Sequence, residues 1–428
     1  MNAIQKKLSA TFFAVLSLPS TAMGFALSVQ ISALSWILST QYKLDIHEVG
    51  IVWAAGPVAG IVGQVIIGFI SDKTWFWGGR RRPFIWLGGS LASISLIALT
   101  QLGSISESTG ISIMIVAIAV ALTLDLSINI SFNPTRSIIA DVTPEGDKRT
   151  RGYTWMQTIS GAFGVLAYAI GAYYGNYSLI YFGVGLVFLF SVLPPLLITE
   201  PKELANQSGQ EKLEAATKPP SEYNQLIRIY LAHGFCWLGV QTMFVNMLFY
   251  VKDVMKITSD EEAGQIISFS FLILNAVGFI LPALVLEPLA KKIGRVKVHV
   301  LAMAAMTLGY ALMVLAGKSP EYVYLFMGIA GIGWAATVSL PFAIMTEKVD
   351  KTKMGLFMGI FNLSVVIPQL IVSLGFGTLI QQSSNKTIIF IICASALALS
   401  TLLWSLVKER VMVKKNDLDK YPNFTSSH

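Results

Sequence analysis

The chain has 428 residues, of which 54% are hydrophobic and 13% are charged. Soluble domains carry about 25% charged residues. So much apolar surface does not fit inside a water-soluble core, and lipid must solvate a large part of it. The net charge is +7, but the basic residues cluster at the ends of apolar segments, which argues against nucleic-acid binding. Cys236 and Cys393 lie in apolar runs and are interpreted as small buried residues, not as a disulfide or metal pair.

Twelve apolar windows of about 20 residues are long enough to cross a hydrocarbon layer of about 30 Å. We call them spans 1 to 12. In chain order they lie near 10–37, 47–70, 83–102, 111–139, 152–175, 178–198, 226–250, 263–287, 296–317, 320–346, 354–379 and 387–407. The first window is too long for the core of a cleaved signal peptide, so we expect it to be the first transmembrane helix.

The distribution of Lys and Arg predicts the orientation of the chain. With the N-terminus inside, 26 of the 31 basic residues fall in inner segments, and five fall in outer ones: Lys43, Lys252, Lys256, Lys318 and Lys386. Because inner loops are enriched in Lys and Arg, both termini are predicted to be cytoplasmic, in a multi-pass protein of the cell membrane.

A polar break between spans 6 and 7 predicts a division into two parts. The loops after spans 2 and 8 are also weakly similar, since both end in a Gly-Arg pair, Gly79-Arg80 and Gly294-Arg295. We therefore expect an all-α membrane protein with a six-helix half at 1–199, a cytoplasmic linker at 200–224, a second half at 225–410 and a tail at 411–428. Transporters with two such halves bind their solute between the halves near mid-membrane and expose it alternately to the two sides.

Four segments resemble the sucrose-transporter family, solute carrier family 45, within the major facilitator superfamily. They are Trp53…Gly56-Pro57…Asp72…Arg80-Arg81-Arg82-Pro83, then Leu124-Asp125…Asn129…Pro134…Arg136…Asp141, then Gly333-Trp334…Leu340-Pro341-Phe342, and Gly359-Ile360-Phe361-Asn362…Ile367-Pro368-Gln369. The resemblance implies the two-half fold and proton-coupled sugar symport. The chain departs from the plant pattern in span 7, where Asp253-Val254-Met255 is followed by Lys256-Ile257 instead of an Arg-Glu pair.

Asp125 is a carboxylate deep in span 4, about 21 Å from the start of the window at 1.5 Å per residue. A charged Asp at such a depth costs roughly 2.5–3.5 kcal/mol, so it should face a cavity or be protonated. The helical period places Asn129, Phe132 and Arg136 on the same stripe. Asp125 is interpreted either as a carboxylate satisfied by polar side chains of neighbouring helices or as a proton-binding site with Arg136 nearby. The family resemblance implies the second role, and a lone carboxylate favours protons over sodium.

Polar and aromatic side chains within other spans are candidates for binding a sugar, since amides bond to hydroxyls and aromatic rings cover C–H surfaces. The candidates are Gln30, Asn129, Gln157, Trp334 and Asn362. For each one, hydrogen bonding or packing between helices is an alternative role. Two single histidines have simpler interpretations: His47 as a solvated loop residue and His233 as a hydrogen-bonded core residue.

Asp72 and Arg80, Arg81 and Arg82 lie in the loop after span 2 and are predicted to form a cytoplasmic charge network that holds one conformation. A simple positive-inside anchor is the alternative. The sequence shows no nucleophile–base constellation, metal-ligand cluster or phosphate loop, so neither an enzyme nor a cofactor is expected. Three function classes remain open: a proton-coupled sugar symporter, a facilitator or proton antiporter of another small polar solute, and a non-transporting membrane sensor. The first would need only a solute, protons and the bilayer as partners, and a monomer is expected.

Overall fold

The computed structural model describes residues 5, 7–61, 63, 70, 74–144, 147–201, 222–349 and 354–409. Apolar runs of this length become helices because a helix pairs all its backbone groups within one segment. The helices are Ala10–Thr40 (span 1), Ile46–Trp53 (span 2), Arg82–Thr100 (span 3), Leu102–Thr109, Ile113–Val142 (span 4), Asp147–Leu197 (spans 5 and 6), Tyr223–Asp253 (span 7), Asp260–Leu281 and Glu287–Ile293 (span 8), Arg295–Ala316 (span 9), Pro320–Thr346 (span 10), Met354–Ile371 and Gly377–Gln382 (span 11), and Ile388–Ser405 (span 12).

In the part of the chain that the structure describes, ten helices are long and apolar enough to cross a membrane. This number differs from the twelve predicted spans for two reasons. Arg151–Leu197 is 47 residues long and contains spans 5 and 6, which Gly175 separates by adopting a φ of 81° that other residues rarely adopt. Span 2 is described only as a shorter apolar helix, Ile46–Ile61, because most of its remainder lies outside the described residues.

Spans 8 and 11 each contain one π-helical turn, at Pro282–Leu286 and at Val372–Phe376. Proline lacks a backbone donor, and Pro282 begins the first of these turns while Pro368 precedes the second by one helical turn. A π turn inside a helix commonly marks a functional position, because it redirects the side chains on either side. Spans 8 and 11 are also spans through which the two parts of the chain touch.

Hydrogen bonds between the ends of spans define two faces of the bundle. The side-chain amide of Gln5 donates to the backbone carbonyl of Thr199 at 2.8 Å and accepts from its N–H at 2.9 Å. Similarly, Gln225 accepts from the backbone N–H of Lys408 at 2.8 Å. The starts of spans 1 and 7 therefore lie beside the ends of spans 6 and 12. We call this end of the bundle the terminal face and the opposite end the distal face.

Hydrogen bonds join spans 1–6 to spans 7–12 at the distal face. Ser35 in span 1 donates to the carbonyl of Val245 in span 7 at 3.0 Å, and the indole of Trp36 donates to the carbonyl of Asp260 at 2.5 Å. Deeper in the bundle, Ser32 lies 2.7 Å from the hydroxyl of Ser268 in span 8. Because these contacts are buried and polar, they fix the two parts in one relative position.

Span 2 meets span 11 at the same face. The amide of Gln381 donates to the Asp45 carboxylate at 2.9 Å, and the Nδ1 atom of His47 lies 3.1 Å from the hydroxyl of Thr378. His47 is therefore part of a helix–helix contact, and its interpretation as a solvated loop residue was wrong. Its partner lies 331 positions further along the chain, and local sequence does not reveal such a distant contact.

Glycines allow the backbones of spans 2 and 11 to touch. A Cβ atom on Gly50 would lie 2.5 Å from the carbonyl oxygen of Ser373, and one on Gly377 would lie 2.9 Å from the Cα atom of His47. Both approaches are closer than ordinary van der Waals contact, so neither position has room for a side chain in this arrangement. The distal face is thus closed by hydrogen bonds together with direct backbone packing.

Candidate functional site

Asp125 is buried between spans 1, 2 and 4, with 7% of its surface exposed. The amide of Gln30 in span 1 donates to its Oδ2 atom at 2.9 Å. Gly56 in span 2 brings backbone close to the carboxylate, since a Cβ atom there would lie 3.3 Å from Oδ1. Among the described residues no ion pair includes Asp125. A buried carboxylate held by a neutral amide is well suited to gaining and losing a proton.

Residues of the predicted stripe on span 4 contact one another in pairs along the helix. Asn129 donates from its amide to the backbone carbonyl of Asp125 at 2.8 Å, one helical turn away. Further along, the guanidinium of Arg136 lies over the Phe132 ring at 4.1 Å from its centroid. Arg136 is exposed and does not pair with Asp125, which agrees with the axial separation of about 16 Å between positions 11 residues apart.

Trp334 in span 10 is held by two residues of span 8. Its indole N–H donates to the Oδ1 atom of Asn275 at 3.2 Å, and the amide of Asn275 in turn donates to the carbonyl of Phe271 at 2.9 Å. Gly278, one turn further, leaves room for the indole, since a Cβ atom there would lie 2.7 Å from its Cδ1 atom. Asn275 was missed by sequence reasoning, and the only available signal was one amide with a glycine three residues later in an apolar helix.

Two further amides meet across spans 7 and 11. Gln369 donates to the Oε1 atom of Gln241 at 3.3 Å, and Gln241 is buried. Gln369 belonged to a family-like segment, whereas Gln241 was not predicted as a site residue. Gln157 is exposed on span 5 and Asn362 is half-buried on span 11; no hydrogen bond among the described residues joins either one to another candidate.

The basic loop at the terminal face is organised by two carboxylates. Arg81 donates from Nε to the Oδ2 atom of Asp141, at the end of span 4, at 3.0 Å, and both side chains are nearly buried. Glu200, directly after span 6, accepts the backbone N–H groups of Arg80, Arg81 and Arg82, each at 2.8 Å. A carboxylate at a helix N-terminus satisfies unpaired donors and complements the helix dipole. Asp72 lies outside the described residues.

The same arrangement recurs at the start of span 9. Glu409, after span 12, accepts the backbone N–H groups of Arg295 at 2.9 Å and Val296 at 2.8 Å. Arg295 in turn pairs with Glu347, at the end of span 10. Sequence reasoning missed the roles of Glu200 and Glu409; their signal was that each is the first carboxylate after an apolar span. The two clusters occupy equivalent positions in spans 1–6 and spans 7–12.

The other predicted histidine lies in the core of spans 7–12. The indole N–H of Trp237 donates to the Nε2 atom of His233 at 3.0 Å, and the His233 ring stacks on Phe361 with 4.6 Å between centroids. The prediction of a hydrogen-bonded core residue is confirmed. Cys236 and Cys393 are both free and buried, as predicted.

These features define a helical bundle with a closed distal face, a buried carboxylate and matched charge clusters at the terminal face. The family model of the Major Facilitator Superfamily matches residues 16–371 and 274–425. The chain belongs to this superfamily of membrane transporters.

Individual relatives and solved structures agree with the assignment. The chain is 28% identical over 433 residues to sucrose transport protein SUT2 of Oryza sativa subsp. indica, covering 83% of this chain and 85% of that protein. It is 26% identical over 414 residues to sucrose transport protein SUC4 of Arabidopsis thaliana, covering 81% of this chain and 80% of that protein. In fold it is similar to the nucleoside transporter NupG, with a TM-score of 0.70 and 13% identity, covering 93% of this chain and 100% of that chain. It is also similar in fold to the inward-open xylose transporter XylE from E. coli, with a TM-score of 0.69 and 14% identity, covering 96% of this chain and 99% of that chain.

Proposed function

We propose that the chain is a proton-coupled symporter of a sugar, a disaccharide or glucoside such as sucrose or maltose, working by alternating access. The observation that carries this proposal is Asp125: a carboxylate buried in span 4, paired only with the neutral amide of Gln30 among the described residues. Such a group binds a proton when it is cut off from water and releases it when a cavity opens beside it. The similarity to sucrose transport proteins supports the sugar as the second solute.

Two six-helix halves, 1–199 and 225–410, move against each other in the proposed cycle. The equivalent clusters around Glu200 and Glu409 support this division, because each one ties the loop before span 3 or span 9 to the end of its own half. With the terminal face in the cytoplasm, the closed distal face separates the proposed site from the outer side of the membrane. Breaking the distal contacts would open the site to the other side.

The solute lies between the halves in this proposal. Asn129 and Gln30 supply hydrogen bonds beside Asp125, while Trp334, with its plane fixed by Asn275, covers a C–H face of the sugar ring. Gln157 and Asn362 stay candidates for hydroxyl contacts. The terminal-face residues Asp72, Arg80, Arg81 and Arg82 control the conformational change, and Arg136 supplies the nearest positive charge on the Asp125 stripe.

An assay in intact cells tests the proposal. Cells that express the chain in a weakly buffered medium should alkalinise it when the correct sugar is added, since protons enter with the solute. A panel of disaccharides, glucosides and monosaccharides identifies the substrate class. Acidification would indicate a proton antiporter, saturable uptake without a pH change would indicate a facilitator, and no uptake of any solute would favour a membrane sensor.

A further inference from the structure

Span 7 carries four aromatic residues at intervals of seven. They are Tyr223, Tyr230, Trp237 and Phe244, and we call them the span 7 stripe. Seven residues make nearly two helical turns, so the four rings lie on one face and follow each other at steps of about 10 Å along the axis. The stripe extends from the terminal face to the middle of the bundle.

The stripe faces spans 10 and 11. Tyr223 contacts Phe357 with 5.9 Å between ring centroids, and Tyr230 contacts Phe361 at 6.4 Å. Further in, Trp237 lies 6.1 Å from the indole of Trp334. The opposite face of span 7 packs against span 12, where Ser400 donates to the carbonyl of Ala232 at 2.7 Å.

The inner end of the stripe reaches the contact between the two parts of the chain. Phe244 lies 5.7 Å from Trp334 and 5.4 Å from Phe271 of span 8. Phe271 in turn contacts Tyr168 of span 5 at 5.8 Å. The stripe therefore begins at the terminal face and ends beside the indole that we place in the sugar site.

Exposure falls in order along the stripe. Tyr223 is 54% exposed, Tyr230 and Trp237 are half-buried, and Phe244 is 5% exposed. Tyr223, Tyr230 and Trp237 therefore keep part of their ring surface accessible, whereas Phe244 does not.

An amide pair lies on the same face of span 7, between Trp237 and Phe244. Gln369 donates one N–H to the carbonyl of Gln241, which leaves the N–H₂ group of Gln241 and the carbonyl of Gln369 able to bond to hydroxyls. Aromatic surface beside amide donors and acceptors matches a sugar, which has apolar ring faces and hydroxyls around its edge.

We propose that the span 7 stripe is a track along which a disaccharide moves between the mid-membrane site and the terminal face. This rests on the proposed sugar transport and assigns its exit path. Each step of about 10 Å is comparable to the length of two linked sugar rings, so a disaccharide always touches two rings of the track, whereas a monosaccharide leaves one ring before it reaches the next. The track thus favours two-ring substrates over one-ring substrates.

The test measures transport of a disaccharide and of its constituent monosaccharide by the full chain in proteoliposomes. In Tyr230→Leu the transport rate of the disaccharide should fall about 2- to 12-fold, the range expected for the loss of one aromatic contact. The transport rate of the monosaccharide, which never bridges two rings of the track, should not change, and neither should the Kd of either sugar at the mid-membrane site. Tyr230→Phe keeps the ring and removes only the hydrogen bond from the hydroxyl to the carbonyl of Phe357, so its transport rates for both sugars should be those of the wild type.

Phe235→Leu is the matched control, since it removes a ring of span 7 that lies outside the stripe but borders the same groove between spans 7 and 11 as Tyr230. It should leave both transport rates unchanged, and size-exclusion profiles establish that every variant is folded. Equal disaccharide transport rates in Tyr230→Leu and wild type, or equal losses for both sugars, would overturn the track. A wild-type chain that transports neither sugar would overturn the sugar transport itself, which is a separate result.

Discussion

The packing of Gly50 against Ser373 predicts that one added methyl group opens the distal face. In Gly50→Ala the new Cβ atom would lie 2.5 Å from the carbonyl oxygen of Ser373, an atom that belongs to the backbone and has little freedom to shift. The clash exists only while spans 2 and 11 touch, so it destabilises the closed arrangement and leaves an open one unaffected. Overpacking of this kind costs about 1–3 kcal/mol, which changes the ratio of closed to open molecules about 5- to 150-fold.

Distances between spin labels measure this shift directly. Gln41, at the end of span 1, and Gln382, at the end of span 11, are both exposed at the distal face and can carry the labels after substitution by cysteine in a chain that lacks Cys236 and Cys393. Pulsed electron–electron double resonance should show a longer distance between the two labels in Gly50→Ala than in the wild type.

The control for this experiment is Gly60→Ala, which adds the same methyl group to the same span. A Cβ atom at Gly60 has no neighbour within 4 Å, so the distance distribution should match that of the wild type. If Gly50→Ala also gave the wild-type distribution, the backbone contact would not stabilise the closed distal face, and this reasoning would be refuted.

Two further predictions concern the charge cluster at the terminal face, and a third concerns the support of Trp334 by Asn275. Glu200→Gln removes the charge that accepts three backbone N–H groups at the start of span 3. It should lower the free energy of unfolding by about 1–3 kcal/mol, measured by thermal unfolding in detergent. An unchanged unfolding temperature would contradict a stabilising role of Glu200 as a helix cap. Asp141→Asn removes the partner of Arg81 and should slow transport while leaving substrate affinity unchanged, as measured by initial rates and Kd; a change in affinity alone would argue against a conformational role. Asn275→Leu frees the indole of Trp334 and should raise the KM for sugar about threefold or more, whereas an unchanged KM would show that the indole needs no such support.

The spans were predictable from sequence because lipid requires long uninterrupted apolar runs, and that requirement is local. Asp125 was predictable for the same reason, since a carboxylate in such a run needs an explanation. The position of Asn129 one turn away followed from helical periodicity alone. In each case the information lies within about 20 neighbouring residues.

Contacts between distant segments were not predictable in the same way. Gln30 lies 95 positions before Asp125, and the sequence suggested it only as a polar residue within a span. Asn275 and Gln241 are single amides in apolar helices, and their partners depend on how the spans pack. Glu200 has its partners 118 to 120 positions earlier, so only the folded chain identifies it as a cap. A single sequence gives no sign of such pairs.

Asp125 is the group that we propose to couple proton movement to solute movement. The most direct measurement compares wild type and Asp125→Asn in proteoliposomes, with a pH gradient driving uptake in one series and solute exchange measured without a gradient in the other. We expect Asp125→Asn to lose gradient-driven accumulation and to retain exchange, because the amide keeps the shape of the site and removes the proton-binding group. Asp253→Asn, outside this site at the end of span 7, serves as the control and should behave as the wild type. Undiminished gradient-driven accumulation in Asp125→Asn would contradict the proton-coupling role of Asp125.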